Sequence, residues 1–147
     1  MKYIYVINGP NLNLLGLREP TIYGSQTLKD IEQICTDYVK NIDYELKFLQ
    51  SNGEGALIDF IQMACKDGSA IIINAAAYSH TSIAILDALQ IFKGLVIEVH
   101  ISNIYKREEF RHCSYCSKRA EAVISGCGPQ GYLYAVDYIV KRLSLKT

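Results

Sequence analysis

The chain has 147 residues, half of them apolar and a fifth charged, which suits one globular domain with a buried core. Fifteen Lys plus Arg balance fifteen Asp plus Glu. The zero net charge argues against a nucleic-acid-binding or membrane-surface protein, which would carry a basic excess, while leaving room for a local Arg cluster that binds a small anion.

The opening run Met1–Ile7 is far too short for a signal peptide or membrane span, and no later apolar run approaches about 18 residues. Five cysteines, at 35, 65, 113, 116 and 127, are an odd number that does not suggest a disulfide framework; a reducing cytosol is the expected setting.

Lys2–Ile7 is rich in β-branched and aromatic residues and ends in Asn8-Gly9-Pro10, a strong turn signal, so it reads as the first strand. A 16-residue connection, Asn8 to Tyr23, follows, with no periodic pattern after Leu15. Long connections of this kind are uncommon in compact domains and often act as active-site lids. A helix is predicted from Thr27, where Thr27 and Asp30 have the spacing of a capping box and Leu28, Ile31, Cys35 and Tyr38 follow at helical intervals.

Glu45–Gln50 is the second strand, and Glu54–Cys65 a helix with Leu57, Ile61 and Ala64 inward. Ala70–Ile73 is a wholly apolar third strand. Ser79–Ser82 can cap a third helix carrying Ile83, Leu86 and Leu89. Leu95–Val99 and the weaker Ala122–Ile124 complete the strands. Pro129 opens a C-terminal helix through Leu133, Val136, Ile139 and Val140, since proline fits a first helical turn.

Strands alternating with helices, with central strands apolar on both faces, describe an α/β fold: a flavodoxin-like, doubly wound, five-stranded parallel sheet of order 2-1-3-4-5, forming a single domain over residues 1–147. Ligands of such sheets sit in the crevice at the carboxyl ends of the strands. The segments that reach that rim are polar: Asn8, Asn11, Arg18 and Tyr23 after the first strand, Ser51 and Asn52 after the second, Asn74 and His80 after the third, and His100, Ser102, Arg107 and Arg111 after the fourth.

Glu98 and His100 are two apart on a strand and so point to one face. A carboxylate beside an imidazole favours its protonated form and fixes its orientation, which suits a general acid for a poor leaving group; a structural Glu–His pair at a strand end is the equally weighted alternative. Tyr23 can act as a base only if its pKa, about 10 when unperturbed, is brought towards neutrality. That shift of roughly three units corresponds to about 4 kcal/mol. One guanidinium supplies about 1–3 units, so Arg18 falls short alone and a second Arg would help. An incidental Tyr on a surface loop is the bland alternative, among 11 tyrosines.

Gly126-x-Gly128-x-x-Gly131 matches the dinucleotide fingerprint formally. It follows the last strand, however, with only 16 residues beyond it and no room for a ribose-binding strand, so a tight strand-to-helix turn is the better reading. His112, Cys113, Cys116 and Cys127 contain a lone CxxC, a weak zinc signal, and no metal is expected.

The run Asn8-Gly9-Pro10-Asn11-Leu12-Asn13, with Leu15-Gly16, Arg18-Glu19-Pro20 and Tyr23-Gly24, resembles the opening signature of type II 3-dehydroquinate dehydratases. The likeness continues through Ser51-Asn52, Glu54-Gly55, Asn74-Ala75, Ser79-His80-Thr81-Ser82, Glu98 to Asn103, Arg107 to Arg111 and Gly128 to Tyr132, spanning essentially the whole chain. It departs at Gly53, where many members carry a larger polar residue, and at Cys113, which often is His; both flank the site.

The resemblance implies elimination of water from 3-dehydroquinate to give 3-dehydroshikimate through an enolate, with no metal, organic cofactor or Schiff base. By the same resemblance, Tyr23 is the base that removes the proton beside the ketone and Arg18 lowers its pKa. His100, held by Glu98, protonates the departing hydroxyl, and Asn11 helps stabilise the enolate through a water. Asn74, the backbone amides of Ile101 and Ser102, His80, Arg107 and Arg111 bind the substrate, and Asp87 comes from a neighbouring subunit of a homododecamer built from trimers. Two other readings compete: a different carbon–oxygen lyase or isomerase on this scaffold, and a flavodoxin-like binding or signalling module. A phospho-acceptor module would call for acidic residues after the first strand, where Asn8-Gly9-Pro10-Asn11 supplies none.

Overall fold

In the computed structural model, which describes residues 2–17, 21 and 25–145, five runs of alternating inward and outward side chains form strands. These are β1 (Lys2–Asn8), β2 (Tyr44–Gln50), β3 (Gly68–Asn74), β4 (Leu95–His100) and β5 (Ala122–Ser125). Among the described residues, the longer helices that connect and flank them are α1 (Leu28–Val39), α2 (Glu54–Asp67), α3 (Ile83–Ile91) and α4 (Gln130–Ser144). Every strand pair is parallel, and the order is β2-β1-β3-β4-β5, as the alternation predicts.

The period of two along each strand divides the core into two layers. Ile4, Val6, Ile72, Ile97 and Val99 face one side, where α1 contributes Ile31 and Cys35 and α4 contributes Tyr132, Val136 and Ile139. Tyr5, Ile7, Ile71, Ile73 and Val96 face the other, against Leu57, Ile61 and Ala64 of α2 and Ile85 and Leu89 of α3. Burial on both faces explains why β1, β3 and the start of β4, Leu95–Ile97, read as apolar runs. Each fully buried Ile or Leu contributes about 1.5–3 kcal/mol.

Local signals place the helix starts. Thr27 Oγ1 accepts the Asp30 amide at 3.1 Å, and the Asp30 carboxylate accepts the Thr27 amide at 3.0 Å, so the capping box predicted from Thr27 forms. Ser82 alone caps α3, accepting the Ile85 amide at 3.0 Å, because residues Ala76–His80 form a 3₁₀ turn of their own. Pro129 sits one residue before the first turn of α4.

Two expectations about packing change. Ile83 is 56 % exposed: Ile85, Leu86 and Leu89 carry the inward face of α3, and Ile83, Asp87 and Ile91, spaced by four, lie along the outward one. In α4 the fully buried place belongs to Tyr132, with Leu133 only half-buried. Gly126 and Gly128 have φ of 93° and 63°, the left-handed region that glycine enters freely, so the glycine-rich segment turns the chain from β5 into α4.

Candidate active site

Each strand ends in a polar residue (Asn8, Gln50, Asn74, His100 and Ser125), and in the parallel register Asn8 lies beside both Gln50 and Asn74 while His100 lies beside Ser125. The apolar pattern stops at one level across the sheet, so the crevice above it is polar by construction. A cavity of about 820 Å³, its open mouth included, occupies this position.

Its floor is a buried hydrogen-bond network. The Tyr132 hydroxyl donates to Asn8 Oδ1 at 2.7 Å and accepts from Asn74 Nδ2 at 2.9 Å. Asn8 Nδ2 donates to the Leu49 carbonyl at 3.0 Å, and Asn74 Oδ1 accepts the Ala76 amide at 3.2 Å. These bonds fix which way both amides face. Asn74 keeps one N–H of its amide group beyond these bonds, and it lines the cavity.

Gly9 closes the β1 end against β3: its amide donates to the Asn74 carbonyl at 2.8 Å, and a Cβ there would lie 2.4 Å from the Ala75 carbonyl oxygen. Gly9→Ala is therefore expected to destabilise the protein by more than about 2 kcal/mol and to weaken ligand binding, read by denaturant unfolding and calorimetry. An unchanged unfolding midpoint would refute this close approach.

On one wall, Asn11 takes the left-handed conformation (φ 71°), which Asn tolerates, and its amide donates to Asn52 Oδ1 at 2.9 Å. The buried Leu15 anchors the described part of this connection in the core. Tyr23 and Arg18 lie outside the described residues.

The opposite wall comes from β4 and the segments after it. Glu98 is fully buried and His100 nearly so, and Nε2 of His100 hydrogen-bonds to Glu98 Oε2. The other carboxylate oxygen accepts the Ser117 hydroxyl at 2.5 Å. Burial alone would push the Glu98 carboxyl up, but the bond and charge of His100, with the Ser117 bond and a weaker contribution from Ser114, outweigh it and hold the group below the usual carboxylate range. Glu98 is thus a buried anion satisfied at both oxygens.

His80 stacks on His100 at 6.2 Å between ring centroids, and its Nδ1 donates to the Cys113 carbonyl at 2.8 Å. Burial holds His80 below its ordinary pKa, against the pull of that carbonyl, and the charges of His100 and Arg111 add to the lowering. A neutral His80 protonated at Nδ1 presents Nε2 as an acceptor.

Arg107 and Arg111 line the same cavity, as do Ile101 and Ser102. Both guanidinium groups lean on Glu108, Arg111 Nε at 3.2 Å and Arg107 Nε at 3.8 Å from its carboxylate oxygens. The His100 and Ile101 carbonyls accept the Gly126 and Gly128 amides at 3.2 and 3.0 Å, which sets the direction of the chain as it leaves β4.

Asn11, Asn74, His80, His100, Ile101, Ser102, Arg107 and Arg111 therefore meet at one cavity, with Glu98 behind His100. Asp87 does not join them: it is exposed on the outward face of α3. The roles of Tyr132, Ser117 and Glu108 were not anticipated. Tyr132 falls within a recognised motif but reads as one more helix-core aromatic, Glu108 stands between its partners Arg107 and Arg111 in a motif where only the arginines drew notice, and nothing near Ser117 in sequence points to Glu98.

The residues His112, Cys113, Cys116 and Cys127 do not assemble as ligands. His112 Nε2 donates to the Arg107 carbonyl at 3.0 Å, and burial pushes the Cys116 thiol up to about 12. Among the described residues no group of three or more His, Cys, Asp or Glu is placed to hold a metal ion.

A buried carboxylate–imidazole pair facing a cavity rich in Asn and Arg donors can move a proton and bind a polyhydroxylated anion. Comparison with known proteins agrees with that chemistry. The family model described as Dehydroquinase class II matches residues 2–140. The 3-dehydroquinate dehydratase of Bartonella tribocorum is 56% identical over 140 residues, covering 95% of this chain and 94% of that protein. That of Streptomyces avermitilis is 57% identical over 137 residues, covering 92% and 86%. The crystal structure of a type II dehydroquinase from Butyrivibrio crossotus superposes with a TM-score of 0.91 at 45% identity, covering 95% of this chain and 97% of that one. Sheet order, cavity chemistry and similarity along nearly the whole length converge: the chain belongs to the class II dehydroquinase family.

Proposed function

We propose that this chain, as one catalytic domain over residues 1–147, eliminates water from 3-dehydroquinate to give 3-dehydroshikimate, in the shikimate pathway of aromatic amino-acid biosynthesis or in quinate breakdown. The observation that carries the reading is the buried Glu98–His100 pair at the wall of a cavity whose other polar groups suit a carboxylate and several hydroxyls.

Tyr23, activated by Arg18, takes the proton beside the ketone, and the electron pair moves onto the carbonyl oxygen as an enolate stabilised by Asn11. The enolate re-forms the ketone as the carbon–oxygen bond breaks, and His100 protonates the departing hydroxyl, so that water leaves. The substrate ketone is itself the electron sink, so this route calls for neither metal nor organic cofactor, and turnover is expected to survive a chelator.

Asn74 and the amides of Ile101 and Ser102 hold the carboxylate, with Arg107 beside them. Arg111 donates to a ring hydroxyl, and His80, kept neutral, accepts from one.

Asp87 completes the site of a neighbouring copy in a homododecamer built from trimers. The exposed line of Ile83, Asp87 and Ile91, with Ile83 and Ile91 at 56 % and 61 % exposure, supports that face as a contact. A cytoplasmic location is supported by the five free cysteines. Among the described residues no helix is long and apolar enough to cross a membrane.

The test is conversion of 3-dehydroquinate by purified protein, followed by the ultraviolet absorbance of the conjugated enone. Absence of turnover across pH would overturn the activity, and a monomer by light scattering would overturn the shared site.

A further inference from the structure

We propose that Ser117 is a positioning residue for the Glu98–His100 pair: from a surface turn, its hydroxyl holds one oxygen of the buried carboxylate so that the other faces the His100 ring. The proposal rests on the dehydratase reading above. Ser117 is exposed and does not line the cavity, so it has no route to the substrate except through Glu98.

The geometry is specific. Ser117 Oγ lies 2.5 Å from Glu98 Oε1, and Oε2 is bonded to His100 Nε2, so the two partners occupy the two ends of one carboxylate. A carboxylate with no exposed surface depends on such donors, because each unsatisfied oxygen carries its full desolvation cost. Removing the Ser117 hydroxyl takes its 2.5 Å bond from Oε1 and loosens the hold that keeps Oε2 facing His100.

The turn that carries Ser117 is built as a rigid frame. Residues Cys116–Lys118 form a 3₁₀ turn, and the buried Cys116 anchors it from below. Arg119, just after the turn, donates to the carbonyls of Leu89, Phe92 and Gly94 at 3.2, 2.9 and 2.7 Å. The Tyr115 amide, just before it, donates to the Ser79 carbonyl at 2.8 Å.

The charged and titratable groups around Glu98 come from three elements. His100 lies on the same strand and Cys116 on the turn, and His80, before α3, feels the Glu98 charge. Burial, reinforced by Glu98, pushes the Cys116 thiol up to about 12, so it stays neutral and supplies no competing charge. His100 and the Ser117 hydroxyl, with Ser114 as a weaker contributor, therefore favour the charged state of Glu98.

The test is Ser117→Ala. We expect kcat to fall about tenfold or more with KM within about twofold, as loss of a hydrogen bond to a charged group implies. The acidic limb of the kcat–pH profile is expected to move up by about one unit, since Glu98 loses a donor that favours its charged form. Ser117→Thr, which keeps the hydroxyl, should recover most of the loss. In a Glu98→Gln background, Ser117→Ala should add little further loss, because it acts through Glu98.

A carbon-13 titration of the Glu98 carboxyl in substrate-free protein should show a higher midpoint in Ser117→Ala than in wild type. Unchanged pH limbs and an unchanged carboxyl midpoint, with or without a lower Tm, would overturn the proposal. The carboxyl titration does not use substrate, so its outcome stands even if 3-dehydroquinate is not turned over, and failure of either reading is told apart from failure of the other.

Discussion

Glu98→Gln is expected to lower kcat about a hundredfold or more while changing KM little. The side chain is fully buried, accepts from His100 at one oxygen and from Ser117 at the other, and does not line the cavity. Gln has the same shape, so packing in the centre of the sheet survives. Its amide, however, presents N–H donors where the carboxylate presented only acceptors, so either His100 or Ser117 now meets a donor. The negative charge that orients the imidazole is also gone. General acid–base groups supply about 10²–10⁴ in rate, and losing the orienting partner forfeits much of that.

The measurement is steady-state kinetics beside thermal unfolding. A variant that unfolds near the wild-type Tm and turns over within threefold of wild type would show that the pair is structural. The pH dependence has a definite sign. Glu98 and His80 are both held below their ordinary values in the folded protein, so their contribution to stability is complete above those values. It drains away as pH falls through the folded ones. Activity and stability should therefore fail together on the acid side.

The second large effect is expected at Tyr23. Tyr23→Phe should remove about 10²–10⁴ of kcat, since it deletes the phenolic oxygen proposed to take the proton, while substrate affinity measured by calorimetry stays within a few-fold. Near-normal turnover would refute Tyr23 as the base. Bringing a phenol from about 10 towards neutrality takes more than one guanidinium typically supplies. Arg107 and Arg111, both on the cavity wall and steadied by Glu108, are the available second charges beside Arg18. Arg111→Gln should accordingly reduce kcat as well as raise KM, and a pure KM effect would assign it to binding alone.

The parallel sheet was legible because β1, β3 and β4 are buried on both faces, which makes them mainly apolar runs between helical periods. Thr27 and Asp30 announced the start of α1 because a capping box is a contact between residues three apart, and the Ser79–Ser82 stretch announced α3, with only the fold singling out Ser82 as the cap. The rim was legible too. Polar residues that end apolar strands, such as Asn74 and His100, have one place to go in this topology, and Glu98 and His100 share a face because a strand alternates.

Contacts between residues far apart in the chain are of another kind. Tyr132 joins Asn8 across 124 positions and Asn74 across 58, and in sequence it is one aromatic among the apolar residues of a helix. Ser117 reaches Glu98 from a surface turn whose position depends on Arg119 gripping the end of α3. Ile83 fits an inward helical period as well as an outward one until α3 is docked, and docking turns Ile85 and Leu89 to the sheet and leaves Ile83, Asp87 and Ile91 outside. Strand period, capping and turn chemistry operate over a few residues, so the amino-acid order alone settles the elements, their parallel arrangement and the polar rim. Which side chains support the rim from behind depends on how separate elements pack, and that is decided only when the two layers close over the sheet.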